Sequence, residues 1–174
     1  MHTRSVVGTL YVCVCAGVRF PRIFLTKKEI TMDELHGYYL EDLEVGMTAS
    51  VTKIITDADV VQFAELSGDN NPVHLNDDYA KTTPFKARVV HGMFSAALIS
   101  AVLGTRLPGP GAIYIDQQLR FKAPVFIGDA VVASAEVQEI DLRRRRVKLK
   151  TVCTVDGKVV AEGYATNMVD SRPV

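Results

Sequence analysis

The sequence predicts an α+β domain in which an antiparallel sheet wraps one central buried helix. Three observations carry this. The run "HGMFSAALISAVLG", His91 to Gly104, is small or apolar on nearly every side, the pattern of a helix covered all round. After the Pro/Gly loop "LPGPG" the chain changes to four strand-like runs and keeps that pattern to its end. Between the last two runs lies Asp156-Gly157, the pair that forms a type I′ hairpin turn.

Each element has its own local reason. From Val45 to Val51 apolar Val45, Met47, Ala49 and Val51 alternate with Gly46, Thr48 and Ser50, which predicts a half-buried first strand. Thr56 with Asp59 three residues on predicts a capped helix start. Val60, Phe63 and Ala64 give that helix its inner face, and Gly68 stops it. Asn76 caps a further helical turn that ends before Pro84. Gly104 is the expected C-terminal cap of the buried helix. The four later strands are "AIYIDQQLRFK", "DAVVASAEVQEI", "RRVKLKTVCTV" and "KVVAEGYATNMV". In the third, Val147, Leu149, Thr151, Cys153 and Val155 alternate with Lys148 and Lys150, predicting one buried and one basic face.

A chain of 174 residues suits one domain with a real core. Lys plus Arg and Asp plus Glu are balanced at 20 each, so no global field draws the protein to nucleic acid or a membrane. Cys13 and Cys15 precede the domain and only Cys153 lies within it, which removes a disulfide framework and a cysteine zinc site. A reducing, cytoplasmic setting is the simplest expectation. Residues 1 to 31 differ from the rest, with early basic residues, an apolar run from Val6 to Val18 and no acidic residue before Glu29. The run is too short to span a bilayer comfortably. A signal peptide, an organellar transit segment and sequence upstream of a true start at Met32 are the three readings. The last is favoured, because "VCVCAG" followed by Arg19 makes a poor cleavage site. Residues 1 to 31 are therefore expected to be an extension, disordered or not native, and residues 32 to 174 the domain.

The loop "SGDNNPVH", Ser67 to His74, does not read as a plain turn. Gly, Asn, Asp and Pro bend the backbone cheaply, but a turn does not require His74 five residues after Asp69. "FAELSGDNNPVHLNDDYA", then "VVHGMFSAALIS", then "LPGPGAIYIDQQLRFKAPVFIGD" closely resemble the MaoC-like hydratases of the hotdog fold, in particular the (R)-specific enoyl-CoA hydratases. The likeness runs from about Leu43 to the C-terminus. It implies a homodimer of hotdog subunits acting on an acyl-CoA thioester, with no cofactor and no metal. The reaction implied is reversible addition of water to a trans-2-enoyl thioester, giving the (R)-3-hydroxyacyl product. Matching the motif residue by residue, the catalytic pair falls on Asp69 and His74, the oxyanion-donating glycine on Gly92, and a serine near the active site on Ser100.

That chemistry suits these residue types. Hydration needs a base for water, an acid for C2 and a donor for the charge that grows on the thioester oxygen, and a close Asp and His supply the first two. Gly92 opens a helix, where unpaired N–H groups and the positive dipole end suit a developing oxyanion. His91 reads as a helix-start or loop hydrogen-bonder rather than a second base. Ser100 lies deeper in an apolar helix, where its hydroxyl either meets substrate or bonds back to a carbonyl one turn earlier. Arg143 to Arg146 could hold the phosphates of coenzyme A or form a solvated hairpin end, with Lys122, Lys86 and Arg88 as rivals for the phosphates. Calcium is disfavoured because Val73 occupies an EF-hand oxygen position, and "GPGAIY" lacks the last glycine of a dinucleotide fingerprint. No G-x-S-x-G elbow is present. A thioesterase on the same fold, a dehydratase acting on acyl carrier protein, and a non-catalytic acyl-thioester-binding subunit are the alternatives.

Overall fold

A computed structural model of the chain describes residues 35–173, and the expectations for residues 1 to 31 lie outside that range. Five strands form one sheet: β1 (Thr48–Ile54), β2 (Ile113–Phe121), β3 (Ala130–Asp141), β4 (Arg146–Val155) and β5 (Lys158–Met168). Their order across the sheet is β1-β3-β4-β5-β2, and every neighbouring pair is antiparallel. Among the described residues four α-helices accompany them, α1 (Asp57–Ser67), α2 (Pro72–Leu75), α3 (Asp77–Thr82) and α4 (Gly92–Thr105), after a short 3-10 turn at Leu40–Asp42.

The local signals act as expected at most boundaries. Thr56 accepts from the Asp59 amide while the Asp59 side chain accepts from Thr56, a reciprocal cap that starts α1. The Lys53 ammonium and these Thr56 bonds hold the Asp59 carboxyl down to about 2. Gly68 then ends α1 in the left-handed conformation, at φ 76°. Asp156 and Gly157 both take positive φ at the β4–β5 turn, as a type I′ hairpin requires. β1 starts later than expected. It begins at Thr48 rather than Val45, because Gly46 at φ 95° turns the chain before the ladder starts.

α4 lies against the inner face of the sheet. Leu98, Ile99, Val102 and Leu103 are buried against Val131, Ala133, Ala135, Val137, Val147, Leu149 and Cys153. Each Leu, Ile or Val side chain among them contributes about 1.5–3 kcal/mol of transfer free energy relative to exposure. Two expectations for this helix need correction. Gly104 does not cap it, for the helix runs on to Thr105 and Arg106 is the C-cap. Nor is it buried all round: Met93, Ala97, Ser100 and Gly104 form an exposed stripe.

On the outer face of the sheet the expected basic strand is present but balanced. Lys148 lies opposite Glu139, Lys150 opposite Glu136 and Arg146 opposite Asp141, so opposite charges face one another across β3 and β4. Among the described residues, no helix is long and apolar enough to cross a membrane.

Candidate active site

The loop after α1 builds the site by winding into a helical turn. The Asn71 side chain caps α2 by accepting from the Val73 amide, and Pro72 occupies the first helical position, where its missing N–H costs nothing. This turn carries His74 inward, where it is buried. His74 Nδ1 lies 2.8 Å from the Val89 carbonyl oxygen. A carbonyl only accepts, so Nδ1 carries the proton and the neutral ring keeps its lone pair on Nε2. That Nε2 is 3.9 Å from Asp69 Oδ2. The distance is too long for a direct hydrogen bond and is of the size one bridging water spans. The Asp69 side chain is 53 % exposed, and its Oδ1 accepts from the Asn71 amide at 3.3 Å.

The Val89 carbonyl is held in place by its neighbours. Arg88 donates to Asp57 at 2.5 Å and to Asp77 at 3.1 Å, tying the starts of α1 and α3 together. The Asp57 hydrogen bond is the largest cause of a guanidinium pKa raised above its ordinary value. Arg88 is thereby committed to structure and not to a ligand's phosphates.

A cavity of about 480 Å³ opens beside His74. Its walls include His91, Gly92 and Ser95 from the start of α4, with Phe121 and Lys122 from the end of β2. α1, α2 and α3 each have a side chain accepting from their first amides, whereas the α4 terminus has none. The Phe94 amide donates to the His91 carbonyl, which leaves the Gly92 and Met93 amides without intrahelical partners at the start of α4, as oxyanion donors must be. A Cβ on Gly92 would meet the Phe121 ring at 3.1 Å, so glycine keeps the helix end and that wall close together.

The structure therefore brings Asp69, His74 and Gly92 together. Asp69 borders the cavity through its contact with His74 rather than lining it. Ser100 is not brought in: it stands on the exposed stripe of α4 and is not among the cavity residues, while buried Ser95 is. Sequence reasoning misses Ser95, although its place three residues after Gly92, on the same helix face, is a usable signal. Its carbonyl accepts from the Cys153 thiol at 3.5 Å, and burial pushes that thiol up to about 11, so Cys153 is an inert core residue beneath Ser95. His91 is a hydrogen-bonder, as its position at the helix start suggests, and its Nε2 bonds the Asp69 carbonyl at 3.0 Å.

The remaining cations separate clearly. Arg143 to Arg146 sit at the β3–β4 turn, where Arg145 pairs with Asp170 and Arg144 with Asp141. The cavity touches β5 at Val160, near the other end of β4. Along a strand the two ends are roughly 30 Å apart, so the arginine run is a hairpin end and no phosphate clamp for this cavity. Of the rivals, Lys122 lines the cavity, with its Nζ 3.4 Å from Glu162. Asp69, His74 and His91 offer ligand atoms within 4.8 Å of one another. The two imidazoles, however, are stacked at 3.8 Å with planes 28° apart. In-plane lone pairs on nearly parallel rings do not converge on a point about 2 Å from both nitrogens, as a bound zinc needs.

Comparison with known proteins supplies the context. The MaoC like domain family matches residues 41–160. An (R)-specific enoyl-CoA hydratase of Rhodospirillum rubrum is 54% identical over 143 residues, covering 82% of this chain and 99% of that protein. A 3-hydroxybutyryl-CoA dehydratase of Methylorubrum extorquens is 54% identical over 141 residues, covering 81% of this chain and 90% of its own length. Among solved structures, an (R)-hydratase from A. caviae involved in PHA biosynthesis superposes with a TM-score of 0.72 at 42% identity, covering 74% of this chain and 98% of that one.

Proposed function

The chain belongs to the MaoC-like family of hotdog-fold hydro-lyases, and from that premise we propose that it is an (R)-specific enoyl-CoA hydratase that adds water reversibly to a trans-2-enoyl-CoA. One observation carries the reading: the free Nε2 of His74 faces the Asp69 carboxyl group at 3.9 Å, beside a helix end that no side chain caps. In the hydration direction His74 Nε2 takes a proton from water as its oxygen bonds C3. Asp69, which enters this step as the carboxylic acid, delivers its proton to C2 and is left as carboxylate, and the first amides of α4, Gly92 foremost, hold the charge on the thioester oxygen. The imidazolium formed on His74 then passes its proton through one bridging water to the Asp69 carboxylate, which returns the pair to its starting state. Lys122, which lines the cavity wall, is the cation that this reading assigns to the carrier end of the thioester.

Incubation with crotonyl-CoA is expected to bleach the conjugated thioester absorbance without releasing thiol. Thiol release would favour a thioesterase, and binding without turnover a non-catalytic subunit.

The same reading includes a homodimer. Among the described strands β2 lies at the sheet edge with one ladder side unpaired, and Ile113, Ile115 and Phe121 are exposed on it. Met93 of α4, 61 % exposed, adds to the apolar surface. A second copy covering both would explain why α4 is apolar on every side, and it would take Ser100 into the interface. Light scattering is expected to give twice the chain mass at micromolar concentration, and a monomer would count against the dimer.

A further inference from the structure

Resting on the hydratase reading above, we propose that His91 is a positioning residue, which fixes Asp69 against the N-terminus of α4 and so sets the distance between the acid–base pair and the oxyanion donor. The loop that carries Asp69 is held otherwise by short-range bonds. The Asp69 amide donates to Ser67 Oγ, the Asn71 amide to Asp69 Oδ1 and the Asn70 amide to the Gly68 carbonyl, each across two residues. Apart from the His91 bond, residues 68–71 are held among the described residues by local bonds alone, between Gly68, whose left-handed backbone ends α1, and the turn that Val73 and His74 fix to Val89. The bond from His91 Nε2–H to the Asp69 carbonyl spans 22 residues and ties the loop to another element.

The tautomer makes that bond the reason for a histidine here. Because the carbonyl can only accept, Nε2 carries the proton, and the lone pair of the neutral ring falls on Nδ1. His91 is 2 % exposed, and Nδ1 has no hydrogen-bond partner among the described residues. Its ring is packed between His74, at 3.8 Å, and Phe63, at 5.1 Å. An apolar side chain would fill this space without burying an unpaired acceptor, so packing alone does not call for an imidazole. What the imidazole adds is the Nε2–H bond. The same residue stacks on His74 and immediately precedes Gly92, so one side chain touches both members of the pair while its backbone leads into the uncapped helix end.

The test compares H91Q, whose amide nitrogen overlays Nε2, with H91N, whose amide nitrogen overlays Nδ1 and cannot reach the carbonyl. With crotonyl-CoA as substrate, H91N is expected to lower kcat about 10- to 100-fold, the effect of misplacing a catalytic group by about an ångström, with KM little changed. H91Q should keep most of the rate, and both should melt close to the parent protein. Placed on D69N, H91N should add almost nothing, since it acts through Asp69. A loss in H91Q as large as in H91N, whether of rate or of folding, would overturn the assignment. So would a full additional loss from H91N in the D69N background. If the parent protein itself failed to hydrate crotonyl-CoA, the hydratase reading would fall instead, and no His91 variant is needed to see it.

Discussion

Asp69→Asn and His74→Asn are each expected to lower hydration of crotonyl-CoA by about two to four powers of ten, the worth of a positioned acid or base. The choice of Asn at both positions follows from the hydrogen bonds. At position 69 the amide is nearly isosteric and its oxygen can still accept from the Asn71 amide, as Oδ1 does now at 3.3 Å. At position 74 the Asn nitrogen overlays Nδ1 and can keep the 2.8 Å bond to the Val89 carbonyl, so the buried polar group stays paired while the Nε2 lone pair disappears. His74→Gln lacks this advantage because its nitrogen overlays Nε2. Folding should survive both changes, as circular dichroism and melting curves will show. The double variant should be scarcely slower than either single one, because two groups that pass protons in one reaction fail together. Near-normal turnover by a folded His74→Asn protein would remove the base from the scheme and leave the loop as a turn with an incidental histidine.

How much of this can be read from the chain depends on how local the cause is. The cap at Thr56 and Asp59, the stop at Gly68 and the turn at Asp156-Gly157 are each decided within a few residues, and they fold as the sequence predicts. The string Gly68 to His74 is legible as chemistry for the same reason. α2 is not expected as a helix, since four residues are too few to show a period, although Asn71 before Pro72 is a proper start signal. Where the cause is distant, reading fails. Composition makes α4 look covered all round, but it does not say whether the cover is the chain's own sheet or another surface, and the Met93, Ala97, Ser100 and Gly104 stripe meets neither sheet nor cavity. The arginine run looks available for phosphates until the strand register sets it opposite Asp141 and far from Val160. His91 gains its role only when a residue 22 positions away comes within 3.0 Å.

The site also depends on a glycine in the sheet, and Gly163→Ala is expected to be the most damaging of the conservative changes to stability. Gly163 of β5 lies opposite Leu119 of β2. A Cβ there would fall 1.8 Å from the Gln118 carbonyl oxygen and 2.8 Å from its carbon, both backbone atoms that cannot rotate aside as a flexible side chain would. β2 must therefore shift, and as an edge strand it has β5 as its only ladder partner among the described strands. The bonds from Gln117 Nε2 to Thr151 Oγ1 and to the Tyr164 carbonyl, both 3.1 Å, would be strained along with it. Overpacking of this kind costs about 1–3 kcal/mol and occasionally more; the backbone clash puts this case near about 3 kcal/mol, a melting-point loss of roughly 6–12 °C for a domain of this size. The damage should reach activity too, because β2 ends in Phe121, whose ring packs over Gly92 and walls the cavity. Gly163→Ala is thus expected to raise KM for crotonyl-CoA as well as to lower the melting temperature. If β2 also supplies the edge for a second copy, the fraction of dimer should fall in the same variant. A Gly163→Ala protein that melted with the parent and kept its KM would mean that β2 moves off Gln118 at little cost, and that the cavity wall is not set by this close approach.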